Sequence, residues 1–237
     1  MRNIKKSIIG LSLGLSILLT GCGEDKRIEK DASGKIISEA IFKDNQIWSG
    51  FVTRDYKIEW GEYGDEVVLK AKELYKDGKS VGFDETAVEE FYKQQIDKNW
   101  KNVEYIPVKY VDVLIYAIDK QPGSINKMNR PRPDKVLEHF IMKTRQFNAL
   151  ADVQQPSEAV MLEAVKQGFN YFKFIENKNP SQEVLKTYVT LYPDWKVLPR
   201  VKVKLPDEVQ MKAVQADKNN YQYLVEPSKE VKNFVNQ

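Results

Sequence analysis

Cysteine and histidine occur once each in this chain of 237 residues, at Cys22 and His139. One cysteine excludes an internal disulfide framework and any cysteine-based metal centre. One histidine leaves His-based metal sites and Cys-His catalysis without their parts, and nothing nominates a serine or aspartate to complete a triad with it. His139 lies between Glu138 and Phe140 in a helical stretch and reads as a surface or helix-edge residue. A glycine-rich phosphate loop is also missing, because Gly61-Glu62-Tyr63-Gly64 is too short and lacks the strand-to-helix setting. Adjacent acids such as Glu89-Glu90 point apart on a helix and read as a solvated face. No catalytic residue, cofactor-binding residue or metal ligand is therefore assigned. A hydrolase using two carboxylates from distant segments stays open as an alternative, with no pair nominated.

Long apolar runs are scarce as well. The uncharged, largely apolar stretch Ser7–Leu19 falls short of the roughly 20 residues that span a bilayer. It follows Arg2, Lys5 and Lys6 and ends in Leu19-Thr20-Gly21-Cys22. Basic n-region, apolar core, then small residues before a cysteine is the order of a secretory signal. The last four residues resemble the lipobox of bacterial lipoproteins. The resemblance implies cleavage after residue 21, a diacylglycerol thioether on Cys22, and membrane lipid as the partner of that cysteine. Two or three acyl chains, at about 0.8 kcal/mol per buried methylene, suffice for stable anchoring. The localisation implied is lipid-anchored and outside the cytoplasm, on the cell membrane or outer membrane. With Gly23 rather than aspartate after the cysteine, the usual sorting rule leans to the outer membrane in a Gram-negative host.

The excess of positive charge is small and local. Net charge is +3, and removing the three basic residues of the signal from the 37 Lys and Arg leaves 34 against 34 acidic residues. There is no overall electrostatic case for a nucleic-acid partner.

The mature chain divides by pattern. Residues 22–33 are polar and charged and predict a flexible tether. Residues 34–85 predict β-hairpins, with Asp44-Asn45 and Asp77-Gly78 at turns. Within them, the segments 39–51 and 72–83 share an aromatic-Lys-Asp turn core followed by Gly-Phe. These two segments resemble short β-hairpin repeats of the MORN type.

Residues 86–237 predict an α-helical repeat domain. Proline followed by Asp or Ser recurs at Pro133-Asp134, Pro156-Ser157, Pro180-Ser181, Pro206-Asp207 and Pro227-Ser228. Val136, Val160, Val184, Val209 and Val231 follow, and Val113 fits the same frame without its proline. Apolar pairs come next, Ala117-Ile118, Phe140-Ile141, Ala164-Val165, Tyr188-Val189 and Ala213-Val214. Proline suits a helix start, Ser or Asp suits the N-cap, and acids such as Glu158 and Glu183 suit the first turn. A second apolar cluster in each unit includes Ile125, Leu150, Ile175, Leu198 and Leu224. Such units bury their apolar faces only by stacking. They resemble bacterial and phage helical-hairpin repeats of the Pro-Ser-Glu-x-Val-x-x-x-Ala-Val type, which implies no chemistry.

The fold class expected is α+β, a small N-terminal β-hairpin region followed by a right- or left-handed α-solenoid. The function expected is that of a membrane-anchored, non-enzymatic envelope lipoprotein that binds a protein partner. The alternatives are the carboxylate-pair glycan hydrolase and an exclusion or immunity lipoprotein of a mobile element. The aromatics Tyr171, Phe172, Phe174, Tyr188, Tyr192, Trp195, Tyr221 and Tyr223 are read as core, with a sugar- or peptide-binding face as the other possibility.

Overall fold

The computed structural model describes residues 19–21, 24–44 and 46–237. The expected signal segment through residue 18 and the expected lipidation site Cys22 lie outside them. The chain is α+β, and it divides into two compact units, residues 1–105 and 106–237.

The first unit holds a six-stranded antiparallel sheet in sequence order: β1 (Leu19–Gly21), β2 (Glu24–Lys30), β3 (Ile36–Lys43), β4 (Gln46–Trp60), β5 (Asp65–Lys76) and β6 (Lys79–Phe83). The two similar segments form the hairpins β3–β4 and β5–β6. Their backbones match: Asp44 and Asp77 both turn through positive φ, at 49° and 50°. Each hairpin then skips one residue of its second strand, Trp48 or Val81. Gly50 cannot be replaced freely, because its φ is +115° and an added Cβ would sit 2.2 Å from the Glu39 carbonyl oxygen.

The expected tether at 22–33 is corrected. Residues 24–30 are strand β2, paired with β3 from Glu24↔Lys43 to Lys30↔Ile36. Its composition carries no apolar alternation, because the strand is held by main-chain hydrogen bonds to β1 and β3, which do not depend on side-chain type. Lys26 pairs with Glu39 at 2.9 Å, and the Arg27 guanidinium lies over the Phe42 ring.

One face of the sheet is a charge ladder, with Lys57–Glu66 at 2.7 Å and a Lys70–Asp55 pair. The other face carries Ser38, Ala40 and Ala71, all buried, and packs on α1 (Thr86–Lys98). Val88, Tyr92 and Ile96 form the buried stripe of α1, and Trp60 meets the rings of Phe91, Tyr92 and Tyr105. On that face Arg54 Nε reaches Glu73 at 2.6 Å. Burial alone would raise the Glu73 carboxyl, but hydrogen bonds from Ser80, Tyr75 and Arg54 outweigh it and hold the group below the usual glutamate range. Helix α1 therefore belongs with the sheet, and the division between units falls after residue 105 instead of 85.

The second unit alternates α-helices with short 3-10 helices. The α-helices are α2 (Val111–Lys120), α3 (Asp134–Thr144), α4 (Glu158–Gln167), α5 (Gln182–Leu191), α6 (Asp207–Ala216) and α7 (Lys229–Val235). They begin 23, 24, 24, 25 and 22 residues apart. The third residue of each, from Val113 to Val231, is buried. So are the small residues Ala117, Ala164 and Ala213, while Lys166 and Gln215 face water. The second element of each pair is a 3-10 helix, at Pro122–Lys127, Phe147–Ala151, Phe169–Phe174, Leu198–Arg200 and Lys218–Tyr223. These hold the second apolar cluster, with Ile125, Leu150 and Leu198 buried.

Capping is shared between neighbours. Ser181 and Ser228 cap their own helices by accepting from Val184 and Val231. The Ser157 hydroxyl instead donates to Glu138 at 2.9 Å, and Asp134 accepts from the amides of Gln154 and Gln155 at 2.8 and 2.7 Å. Lys178 Nζ donates to the Leu150 carbonyl at 2.7 Å, and Arg200 to that of Glu176 at 2.8 Å. Apart from the Ser157–Glu138 contact, which joins two side chains, each tie satisfies backbone groups at or near the ends of short helices.

Candidate functional site

In Arg130-Pro131-Arg132-Pro133, the two prolines restrict the backbone and postpone helix α3 until Asp134. The segment spans from the 3-10 helix Pro122–Lys127 to α3, opposite the 3-10 helix Phe147–Ala151. Between them lies a cavity of about 290 Å³. Leu137 and Phe140 of α3 supply an apolar wall, and Arg130, Arg132, Gln146 and Asp152 a polar one.

Its electrostatics are unbalanced. Arg132 Nε is buried with no hydrogen-bond partner, and so is Ser124 Oγ in the adjoining 3-10 helix. These are the two such side-chain atoms among the described residues. A buried unsatisfied polar group costs about 1–3 kcal/mol, and more when charged. Burial, and then the like charge of Arg130, push Arg132 below the ordinary arginine value, with Asp152 opposing them. The guanidinium nevertheless stays protonated at neutral pH.

A second feature is an aromatic patch. Phe169 is 58% exposed, its ring centroid 6.1 Å from that of Tyr192, and Leu191 beside Tyr192 is 48% exposed. Of the aromatics named from sequence, Phe172 and Tyr188 are core, stacked at 4.1 Å. Tyr171, Phe174, Tyr192, Trp195 and Tyr221 are half-buried, and Tyr223 is exposed.

His139 sits on the partly exposed side of α3, its Nε2 2.9 Å from Asp119 Oδ1, which Lys143 also reaches at 3.0 Å. Hydrogen bonds from His139 and then Lys143 hold Asp119 below the usual aspartate range. The group is a tie between α2 and α3. Gly61 to Gly64 form the β4–β5 turn with Tyr63 exposed, which accounts for both glycines without a phosphate. Among the described residues no cluster of His, Cys, Asp and Glu could hold a metal, and no helix is long and apolar enough to cross a membrane.

No family model, curated protein or solved structure matches the chain. The cavity was missed in the sequence. The available signal was composition: two of seven arginines stand two residues apart, each followed by proline.

Proposed function

We propose that this chain is a lipid-anchored envelope protein that binds a protein partner without catalysing a reaction. Its helical unit is an α-solenoid of short hairpins. The observation that carries this reading is the regular helix spacing of 22 to 25 residues, with equivalent buried valines and polar ties from one repeat to the next. Stacked repeats of this kind offer an extended surface made of many similar short segments. The Phe169–Tyr192 patch is the contact proposed for the partner, since aromatic side chains dominate binding hot spots. The anchor rests on Leu19-Thr20-Gly21-Cys22 after an uncharged apolar run. Cleavage before Cys22 removes β1 and leaves β2 as the outer strand, close to the membrane.

Two measurements test the reading. Labelled palmitate fed to cells enters the wild-type protein and not Cys22→Ser; equal labelling, or none in either, refutes the anchor. A crosslinking pull-down from envelopes recovers a protein with the wild type and loses it with Phe169→Ala/Tyr192→Ala. Undiminished recovery with the double variant refutes that contact.

A further inference from the structure

We infer that the mature protein stands on the phospholipid headgroups with one end of its sheet, the end formed by the β3–β4 and β5–β6 turns. This orientation rests on the lipid anchor proposed above and goes beyond it by naming the surface that meets the membrane.

The reach between anchor and sheet is short. Strand β2 begins at Glu24, two residues after Cys22. Two residues extend at most about 7 Å. A sheet tied so closely to an acylated residue cannot stand clear of the bilayer. Register then decides which end is lowest. Glu24 pairs with Lys43, and Lys43 pairs with Gln46 across the β3–β4 turn. Gly50 pairs with Tyr75, and Lys76 with Lys79, which brings the β5–β6 turn to the same end. Trp48 joins the two turns. Its carbonyl accepts from the Gly78 amide at 2.9 Å, and an added Cβ on Gly78 would lie 3.4 Å from its ring. The β2–β3 and β4–β5 turns lie at the far ends of strands of 7 and 15 residues, about 20 and 45 Å away.

The side chains at this end suit a boundary between lipid and water. Leu74 and Val81 are 37% and 62% exposed although large and apolar. Lys43, Lys76 and Lys79 are exposed beside them, and the Lys43 ammonium lies 4.8 Å from the centroid of the Trp48 ring. Indole favours a place where its apolar body and its polar N–H both find partners, and lysine lays its stem on apolar surface while its ammonium stays with water or phosphate. Asp44 and Asp77, exposed in the same turns, offset two of the three lysines, so the attraction of this end for anionic lipid is slight. The contact is held instead by the high effective concentration that a two-residue tether imposes.

The test uses the processed, lipidated full-length protein in phosphatidylcholine vesicles that carry a nitroxide on the lipid headgroup. Cys22 is the only cysteine, and in the lipidated protein its sulfur is a thioether, so an introduced cysteine alone takes a fluorophore. Three exposed positions are compared: Gln46→Cys at the proposed contact, Ala32→Cys in the β2–β3 turn and Glu62→Cys in the β4–β5 turn. Position 46 should lose most of its emission, and positions 32 and 62 should lose none. Position 32 quenched as strongly as 46 would mean that the sheet lies along β2, and strongest quenching at 62 that it stands on the other end; either result overturns the proposal. A Gly/Ser linker of about 20 residues, with a root-mean-square length of about 25 Å, inserted between Gly23 and Glu24 should restore emission at position 46 while the protein still floats with the vesicles. Lys76→Glu combined with Lys79→Glu should restore it in part. Unchanged quenching in the linker variant overturns tether length as the cause of the orientation, and unchanged quenching in the lysine variant overturns the headgroup contact. A protein that floats without quenching at position 46 overturns the orientation and leaves the anchor standing. A protein that does not float refutes the anchor, and the orientation falls with it.

Discussion

Gln210 offers the sharpest test of how the helical repeats are joined. The residue after the buried valine is Leu114, Leu137, Met161 and Leu185 in four units, and Gln210 in the fifth. Gln210 is fully buried. Its Nε2 donates to the Leu205 carbonyl at 2.8 Å, and its Oε1 accepts from the Ser228 amide at 3.0 Å. It thus joins the entry of α6 to the entry of α7. Gln210→Leu restores the majority side chain at nearly the same volume but strands two backbone groups. At about 1–3 kcal/mol for a buried unsatisfied group, with the half-buried Ser228 amide partly rehydrated, the loss is about 2–4 kcal/mol. Burying leucine in place of an amide offsets about 1 kcal/mol of it. The net expectation is a destabilisation of about 1–3 kcal/mol. For a unit of about 130 residues this lowers Tm by roughly 3–10 °C. Gln210→Ala lacks the offset, leaves a void and should cost about 3–5 kcal/mol. Calorimetry gives the global effect, and hydrogen exchange at the Ser228 amide gives the local one. A Gln210→Leu protein as stable as the wild type, with Ser228 exchanging at its original rate, would refute the claim that this amide holds the last two repeats together.

Ala164→Phe should overpack the fully buried seam between helices and cost about 1–3 kcal/mol, while Lys166→Ala on the exposed face should change stability by less than about 0.5 kcal/mol; urea unfolding of both decides whether the repeat frame is right. The lowered Glu73 carboxyl should stabilise the sheet fully above the ordinary glutamate range and lose that contribution as pH falls through its folded value. Glu73→Gln should therefore be the less stable protein at pH 7, with the difference closing in acid; a pH-independent difference in Tm would contradict the network. His139→Gln should leave partner capture intact and cost less than about 1 kcal/mol, because Lys143 still holds Asp119; loss of capture with unchanged circular dichroism would point to a role for the imidazole itself.

Much of the architecture was legible in the sequence because its signals are local. Proline, a capping residue and an apolar pair at i+4 and i+5 specify a helix start and a buried stripe wherever they occur. The buried Ala164, Val165, Ala213 and Val214 and the exposed Lys166 and Gln215 follow from that frame alone. Likewise Asp77-Gly78 marks a hairpin through its own backbone preferences.

Tertiary structure decided what depends on partners distant in sequence. Strand β2 exists because β3 supplies its hydrogen bonds, and no pattern within Glu24–Lys30 announces a strand. Helix α1 carries the same kind of apolar stripe as the repeat helices, so periodicity could not say that its stripe would meet the sheet. Ser157 looks like a cap in sequence, yet its hydroxyl serves Glu138 of the preceding helix. The arginine cavity is the furthest from sequence reach. Arg130 and Arg132 stand two residues apart in the chain, but the space they line arises only when Gln146 and Asp152 fold against α3. Helix and turn propensity act over a few residues and can be read in order. Desolvation and charge proximity act through space, and only the folded chain sets them.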